Sequence, residues 1–302
     1  MYVILTVLAG VLWGCISLFL KTLTAAGLSS LQVMMLRGVF SAIFLFLFLL
    51  IKDRSLLKVK LKDLWMFVGT GIISLTFFSL CYFKTILEIG TSVAVILLYT
   101  SPIFILIMSL FLFGEKINLP KTVALIMTFA GCILVSGIGS SNAVTAKGFL
   151  IGLCAGFGYA LYSIFSRFAL KKYDSLTVTF YTFVFSGLSL LPFVHAEQIV
   201  TMVTGTKGTG IIVFSLAGIS ILCTVLPYIF YTIGLSGLET GTAAILVTVE
   251  PLVGTLIGFF VWGEEFTVTK GTGIILIFAA VILLGIMPEK KETMGTGSKV
   301  TE

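Results

Sequence analysis

The feature that most constrains this chain is a series of long apolar segments, each long enough to cross a lipid bilayer. A membrane-spanning helix needs about 20 largely apolar residues. Ten segments meet this requirement, at 2–24, 29–51, 64–86, 91–113, 120–138, 147–170, 175–195, 208–234, 240–262 and 269–287. The loops between them are too short to fold alone. The sequence therefore predicts an all-α membrane protein with ten transmembrane helices.

Composition supports a lipid environment. Of the 302 residues, 58% are hydrophobic and only 11% are charged, whereas a soluble domain carries about 25% charged residues. The net charge of +6 could suggest nucleic acid, but the lysines lie in short loops beside apolar segments. That placement favours contact with an anionic membrane surface. The predicted partners are the bilayer and a small-molecule substrate, not nucleic acid, and the predicted state is a monomer, with a dimer as the alternative.

The familiar signatures of catalysis and metal binding are missing from the sequence. The five cysteines lie inside apolar segments without CxxC spacing, which favours small buried hydrophobes over a disulfide or zinc site. The chain has one histidine, His195, which we assign no role. No Walker A, HExxH or GxSxG motif occurs, so ATP-driven pumping and familiar hydrolysis lack support. We predict that the protein is not an enzyme and that it binds no cofactor and no metal.

The distribution of basic residues predicts the orientation, because Lys and Arg are enriched in cytoplasmic loops. With the N-terminus in the cytoplasm, the cytoplasmic segments would carry 13 basic residues and the opposite side five. Both termini are therefore predicted to be cytoplasmic, in a cytoplasmic membrane. The first apolar segment has no basic region before it, which is typical of a retained helix rather than a cleaved signal. The polar tail at 288–302 is predicted to be disordered.

The chain also contains an internal duplication. Tyr99-Thr100-Ser101-Pro102 … Gly114-Glu115 recurs as Thr248-Val249-Glu250-Pro251 … Gly263-Glu264 at a constant offset of 149. Nine of 31 positions are identical between 91–121 and 240–270. Shared Pro, Gly-Glu and Lys in register are unlikely between unrelated apolar helices, so we infer a repeat. A weaker match places Trp13–Lys21 on Tyr159–Arg167.

The repeat unit contains five helices, and this odd number makes the second copy run with opposite polarity across the membrane. We predict one repeat at 1–138 and the other at 147–287. Inverted repeats of this kind are typical of carriers that work by alternating access, with the substrate site near the membrane midplane. The alternative is a duplicated structural bundle that transports nothing.

Several of these motifs together resemble one transporter family. Trp13-Gly14 … Lys21, Arg37 and both Pro … Gly-Glu segments are similar to the drug/metabolite transporter superfamily, specifically its EamA-type members. The most specific part is Glu250-Pro251 with Gly263-Glu264, and the resemblance covers about 1–287. It implies ten helices in two EamA repeats and export of amino acids or related metabolites. The motifs do not identify the substrate.

Glu250 is the acid that most suggests function. It lies ten residues into a 23-residue segment, close to the bilayer centre. A charge at that depth costs a few kcal/mol, so it usually faces the interior of a bundle and has a function. Glu250 is predicted to bind a proton or a substrate ammonium group. The alternative is a packing carboxylate that hydrogen-bonds a neighbour beside Pro251. Glu115 and Glu264, in contrast, are expected to be solvated residues at helix ends.

Pro102 and Pro251 predict breaks in two helices, because proline removes one intrahelical hydrogen bond. A pair of broken helices at matching positions is typical of a carrier's central site, although kinked packing would give the same pattern. Arg37 lies in the outer third of the second segment. It could neutralise a carboxylate or extend to the headgroups, and the family resemblance favours a gating role for it.

Polar and aromatic residues at helical spacing complete the predicted site. Aromatic rings with polar tips suit a cavity for a medium-sized amphipathic solute. For any one residue taken alone, helix packing is the better interpretation, and it is the convergence of five helices that favours a cavity. The predicted substrate-binding residues are Trp13, Ser17, Tyr82, Tyr99, Tyr159, Tyr162, Tyr228 and Glu250. The resulting hypothesis is a secondary transporter that exports amino acids or similar metabolites. The alternative is a membrane sensor or assembly protein on the same scaffold.

Overall fold

The computed structural model describes residues 1–136, 145–193 and 209–286. Within these ranges, ten helices are long and apolar enough to span a membrane. They are α1 (Tyr2–Ala25), α2 (Ser30–Lys52), α3 (Leu61–Ile89), α4 (Thr91–Phe113), α5 (Leu119–Ser136), α6 (Ala146–Leu170), α7 (Ser175–Phe193), α8 (Thr209–Gly237), α9 (Thr240–Trp262) and α10 (Val268–Gly285). The all-α membrane architecture predicted from the sequence is confirmed.

The observed helix ends agree with the predicted ones to within three residues wherever both lie in the described ranges. The largest difference is in α3, which was predicted at 64–86 and extends to Leu61 and Ile89. Its polar first turn can be part of the helix because Asp63 is buried and paired with Lys172. The repeat boundaries at 1–138 and 147–287 stay a prediction. His195 and the tail at 288–302 lie outside the described residues.

Side-chain caps define where several helices begin. The backbone N–H of Gln32 donates to the Ser29 hydroxyl, and the Gln32 side chain accepts from the Ser29 N–H, which forms a capping box before α2. The side chains of Thr145, Asp174 and Thr267 each accept one backbone N–H at the start of α6, α7 and α10. These caps satisfy backbone N–H groups that have no partner within the helix.

The repeat-related helices α4 and α9 are both interrupted in the middle. In α4 the halves Thr91–Leu98 and Ser101–Phe113 are separated by Tyr99 and Thr100. In α9 a 3₁₀ turn at Val247–Val249 lies between two α-helical halves. A proline follows each interruption, at Pro102 and Pro251. Both helices are thus interrupted just before a proline, and the physical cause is the backbone N–H that each proline lacks.

A second, unpredicted irregularity is shared by α3 and α8. Each contains a π-helical segment, Gly69–Thr76 in α3 and Ile221–Val225 in α8. In both, a threonine hydroxyl donates to the carbonyl five residues earlier, from Thr76 at 3.1 Å and from Thr224 at 2.7 Å. Those hydrogen bonds satisfy backbone carbonyls that the wider turn exposes. They also mark α3 and α8 as equivalent helices of the two repeats.

The packing of the bundle follows from the inverted repeat. Helix α1 packs on α8, and the equivalent pair α6 and α3 pack in the same manner. Helices α5 and α10, which are equivalent to each other, form a seam, as do α2 and α7. The α5–α10 seam contains small residues at repeat-related positions. Ala124 corresponds to Gly273, and Gly131 corresponds to Ala280. The structure thus comprises two inverted five-helix repeats.

The seam between α5 and α10 supports a prediction about stability. A Cβ atom at Gly273 would lie 2.7 Å from the backbone oxygen of Gly131, which cannot move without shifting α5. We expect Gly273→Ala to destabilise the protein by about 1–3 kcal/mol and to lower its thermal unfolding temperature in detergent. Gly210→Ala is the control, because no atom lies within 4 Å of a Cβ there. Equal melting of the two variants would contradict tight packing of the seam.

The Gly-Glu turns confirm the duplication at atomic detail. Gly114 and Gly263 both adopt left-handed conformations, with φ of +68° and +66°, which glycine adopts without strain. The next residue closes the helix end in the same way each time. The backbone N–H of Glu115 donates to the Ser109 carbonyl, and that of Glu264 donates to the carbonyl of Gly258, 149 residues after Ser109.

Candidate functional site

A cavity of about 310 Å³ lies inside the bundle. It extends from Glu250 and Tyr99, near the middle of α9 and α4, to Leu20 and Ser30 beside the α1–α2 loop. We call the end of the molecule with that loop the open end and the opposite end the closed end. Residues of α1, α2, α3, α4, α6, α8 and α9 line the cavity. Its volume is in the range typical of small-molecule sites.

Glu250 is placed in the cavity by the break in α9. The 3₁₀ turn at Val247–Val249 ends at Glu250, which begins the second half of the helix. The side chain is half-buried and faces the cavity beside Pro251 and Gly254. Because Gly254 has no side chain, the space next to the carboxylate remains free. Glu250 is thus a carboxylate presented to the cavity near the middle of a spanning helix.

Arg37 supplies the opposite charge from α2. Its half-buried side chain lines the same cavity, beside Tyr228 and within electrostatic range of Glu250. Both residues lie in the described part of the chain, and no direct ion pair joins Arg37 to Glu250. The cavity therefore presents a separated cation and anion, and each remains available to a ligand.

Aromatic rings form much of the remaining wall. Trp13 of α1 contacts Tyr228 of α8 with ring centroids 5.0 Å apart in an edge-to-face arrangement. On the other side, Phe78 of α3 packs against Tyr159 of α6 at 5.2 Å and against Tyr82 at 5.7 Å. Edge-to-face pairs of this kind stabilise one ring arrangement. The wall therefore combines apolar surface with phenol hydroxyls.

The structure brings together seven of the eight predicted substrate-binding residues, namely Trp13, Ser17, Tyr82, Tyr99, Tyr159, Tyr228 and Glu250. Tyr162 is the exception. It is only 4% exposed and packs behind the wall, against Tyr228 and Tyr231. Helical spacing placed Tyr162 beside Tyr159, but the three-residue step between them turns its side chain toward the core of the bundle.

The three residues that were predicted to break helices or to act as a gate do not all lie in the same place. Arg37 and Pro251 line the cavity, whereas Pro102 lines a separate space of about 10 Å³ beneath Tyr99. The contribution of α2 to the cavity was missed, apart from Arg37. Val33 and Met34, which line the wall with it, were indistinguishable from other apolar residues in the sequence. Arg37 within an apolar segment was the one signal that α2 faced a polar space.

Ser17 lines the cavity, and its hydroxyl has no hydrogen-bond partner among the described residues. Its Oγ atom is buried. A buried hydroxyl without a partner costs free energy unless a ligand or water satisfies it. The Ser17 hydroxyl is thus buried in the cavity wall, and a ligand would reach it only after a local movement of the wall.

The closed end is held by Glu115. Its carboxylate accepts the backbone N–H groups of Thr240 at 2.6 Å and Gly241 at 3.0 Å, at the first turn of α9. Glu115 is only 2% exposed, so the expectation of a solvated boundary residue is wrong. The reason is tertiary: the second half of α4 packs against the first half of α9, and α9 begins with N–H groups that a carboxylate satisfies.

Two further cations reinforce this closure. Lys121, 3% exposed, donates from Nζ to the carbonyl of Lys116 at 2.9 Å and to the carboxylate of Glu239. Arg167, also buried, donates to the carbonyl oxygens at the end of α8, including that of Leu238 at 2.9 Å. Glu115, Lys121 and Arg167 are thus bonded to groups at the end of α8, in the α8–α9 connection or at the start of α9. Breaking such buried pairs is costly.

The cavity places charged and aromatic side chains inside a bundle of membrane-spanning helices. Among the residues that the structure describes, no group of three or more metal-ligating side chains occurs. What the cavity offers is a carboxylate, a guanidinium, phenol hydroxyls and aromatic surface. The bundle consists of ten helices in two inverted repeats, and its cavity is open at one end and closed at the other. This architecture is typical of secondary membrane transporters.

Comparison with known proteins agrees with that class. The chain belongs to the EamA-like transporter family, whose profile matches residues 1–137 and 146–286. The family and the names of the relatives indicate a transporter rather than an enzyme. The resemblance to EamA-type members predicted from the motifs is therefore confirmed.

Relatives in other organisms extend over nearly the whole chain. An uncharacterized transporter of Archaeoglobus fulgidus is 27% identical over 282 residues, which is 93% of each protein. The uncharacterized transporter YxxF of Bacillus subtilis is 25% identical and is covered over 88% of its length, by 93% of this chain. A solved crystal structure with 17% identity superposes with a TM-score of 0.77 over 93% of this chain and 95% of that one. That last similarity concerns the fold alone.

Proposed function

We propose that this protein is a secondary transporter that exports amino acids or related zwitterionic metabolites across the cytoplasmic membrane by alternating access. The observation that carries the proposal is the cavity that presents Glu250 and Arg37 without pairing them. A free amino acid carries an ammonium group and a carboxylate. Glu250 would bind the ammonium group, and Arg37 would bind the carboxylate through its two-pronged guanidinium.

The rest of the wall supports the same substrate class. Tyr82, Tyr99, Tyr159 and Trp13 provide apolar surface for a side chain together with hydroxyl groups for polar contacts. Among the described residues that line the cavity, only Arg37 and Glu250 carry charge, which suits a small molecule without net charge. The lack of a nucleotide-binding motif in the sequence means that a gradient would drive transport.

Alternating access is supported by the difference between the two ends. One end is closed by Glu115, Lys121 and Arg167, and the cavity opens at the other. A transporter must pass through a second state in which these roles are exchanged. The two inverted repeats make this second state possible. If they exchange conformations, the state that is open at one end becomes the state that is open at the other.

The orientation that we propose puts the open end outside the cell and both termini in the cytoplasm. Lys58 and Lys60 of the α2–α3 loop and Lys62 in the first turn of α3 then lie with Lys171 and Lys172 on the cytoplasmic side. That distribution follows the positive-inside rule. A cavity open to the outside is the state in which an exporter releases its substrate.

Counterflow in proteoliposomes tests the function. Vesicles loaded with one unlabelled amino acid at a time are expected to accumulate that labelled amino acid only when they contain the protein. A growth screen, in which the protein is overexpressed in cells that are challenged with toxic amino acid analogues, selects the candidates. Absence of flux for every candidate, under any gradient, would favour a sensor or assembly protein instead.

Substrate preference is expected to depend on Tyr82. Its half-buried ring lines the cavity, so Tyr82→Ala should enlarge the site and shift preference toward bulkier substrates, by about tenfold for an apolar contact worth 1–3 kcal/mol. The control is Tyr162→Phe, which alters a tyrosine behind the wall. Competition by unlabelled amino acids measures the preference. An unchanged competition series in Tyr82→Ala would show that this ring does not contact substrate.

A further inference from the structure

The repeat-related turns after α4 and α9 have the same local structure but different long-range partners. In each turn a lysine closes the loop onto a backbone carbonyl. Lys121 donates to the carbonyl of Lys116 at 2.9 Å, and Lys270 donates to the carbonyl of Glu265 at 3.0 Å, 149 residues further along. Because their local structure is the same, both turns could make the same contacts with other segments of the chain. Only the one at the closed end makes all of them.

The carboxylates of these turns show the difference clearly. Glu115 accepts two backbone N–H groups at the start of α9. Its counterpart Glu264 instead accepts the ammonium group of Lys21 at 2.9 Å. The Lys21 and Glu264 side chains are 46% and 48% exposed, and an ion pair that exposed contributes little to stability. Glu264 can therefore leave Lys21 at small cost.

The repeat also identifies where Glu264 would go. Thr240 and Gly241, the partners of Glu115, correspond to Thr91 and Ser92 at the start of α4. The N-cap residue there is Gly90, which has no side chain to cap the helix, and no side chain accepts from either N–H in the described structure. Thr91 is exposed, whereas Thr240 is fully buried. The start of α4 thus has donors without a capping acceptor.

The cavity keeps the two groups apart in the present state. Leu98 and Tyr99 of α4 line it together with Glu250 and Gly254 of α9. At the closed end the equivalent halves of these helices are in contact, because a Cβ at Gly241 would lie 2.3 Å from the Leu106 side chain. Closing the cavity would bring the first half of α4 against the second half of α9.

We propose that Glu264 is the gate residue of the open end: in the alternate state it leaves Lys21 and accepts the backbone N–H groups of Thr91 and Ser92. Glu115 and Glu264 would then close opposite ends in turn. This rests on the alternating-access function proposed above. The positive end of the α4 helix dipole favours a carboxylate there, as it does for Glu115 at α9.

One departure from the repeat makes the two closures unequal. Lys121 is paired with Glu239 at the closed end, but the residue equivalent to Glu239 is Gly90. Gly90 has φ of +87°, a conformation that other residues rarely adopt. The closure at the open end therefore lacks one buried ion pair. This inequality favours the state described here, with the cavity open, when no substrate is bound.

A designed cysteine pair tests the proposal. The positions that correspond to Leu106 and Gly241 are Thr255 and Ser92, so Ser92→Cys with Thr255→Cys should form a disulfide only when the open end closes. The pair is placed in a chain whose five native cysteines are replaced. Glu115→Ala, which weakens the closed end, is expected to raise the disulfide yield by about fivefold or more. Adding Glu264→Ala should abolish that rise, whereas adding Glu265→Ala at the exposed neighbouring position should not.

The possible results separate the two proposals. If the disulfide yield rises equally with and without Glu264→Ala, the gate role is overturned while alternating access stands. If no disulfide forms in any variant, and Met34→Cys in the cavity wall stays reactive to an impermeant maleimide from the outside, both proposals are overturned. Thermal unfolding of each variant in detergent shows whether it is folded, and Glu264→Gln provides a milder second variant with the same expected direction.

Discussion

Glu250→Gln is expected to reduce transport about tenfold or more, because it removes a charge-assisted hydrogen bond to the substrate ammonium group worth about 1.5–3 kcal/mol. Glutamine has nearly the same shape as glutamate, and Glu250 is only half-buried, so the yield of folded protein should not fall. Initial rates of counterflow in proteoliposomes measure the effect. Any dependence of the rate on pH that arises from Glu250 should also disappear.

Glu265→Gln is the matched control for Glu250→Gln. It makes the same chemical change at an exposed position in the turn between α9 and α10, outside the cavity, and should transport like the unmodified protein. If Glu250→Gln keeps both its rate and its pH dependence, then Glu250 is a packing carboxylate beside Pro251. Equal losses in both variants would point to an effect on charge rather than on the cavity.

The second large effect is expected for Glu115→Ala, which should shift the protein toward the alternate state, in which the end that is closed here opens. The substitution leaves the N–H groups of Thr240 and Gly241 without their acceptor in the closed arrangement. An unsatisfied buried donor costs about 1–3 kcal/mol, and water can satisfy both donors when that end opens. Because 1.4 kcal/mol changes a population ratio about tenfold, the shift should be large.

Labelling of Met34→Cys in the cavity wall measures this shift in a chain without other cysteines. Reaction with an impermeant maleimide added outside is expected to slow in Glu115→Ala as the open end closes. Glu88→Ala is the control, because Glu88 makes an ion pair with the exposed Lys147 away from the closed end. Unchanged labelling in Glu115→Ala would show that Glu115 does not stabilise the closed end.

Much of the fold followed from local properties of the sequence. The helix positions depend on runs of apolar residues, and the breaks in α4 and α9 depend on Pro102 and Pro251. The inverted repeat followed from counting helices between Pro … Gly-Glu copies. None of these requires knowledge of which helices touch, since hydrophobicity and backbone chemistry act within each segment.

The site was only partly predictable for the same reason. Glu250 and Arg37 stood out because ionisable residues are rare in apolar segments. Tyr162 was misplaced and Met34 was missed, because neither the composition of a helix nor the spacing of its residues tells which side of it faces a cavity. Glu115 was misread because its partners are backbone N–H groups on α9, distant in sequence and without any residue-specific signal.

The sequence by itself determined that this chain is a ten-helix membrane protein built from two copies of one unit, with one acid at the midplane that the other copy lacks. Only the tertiary structure decided that the Pro … Gly-Glu turns have different tasks. Glu115 is buried against the start of α9, and Glu264 is exposed beside Lys21. The two copies share their local geometry because local hydrogen bonds define it. They differ in their partners because only one end of the bundle is closed in this state.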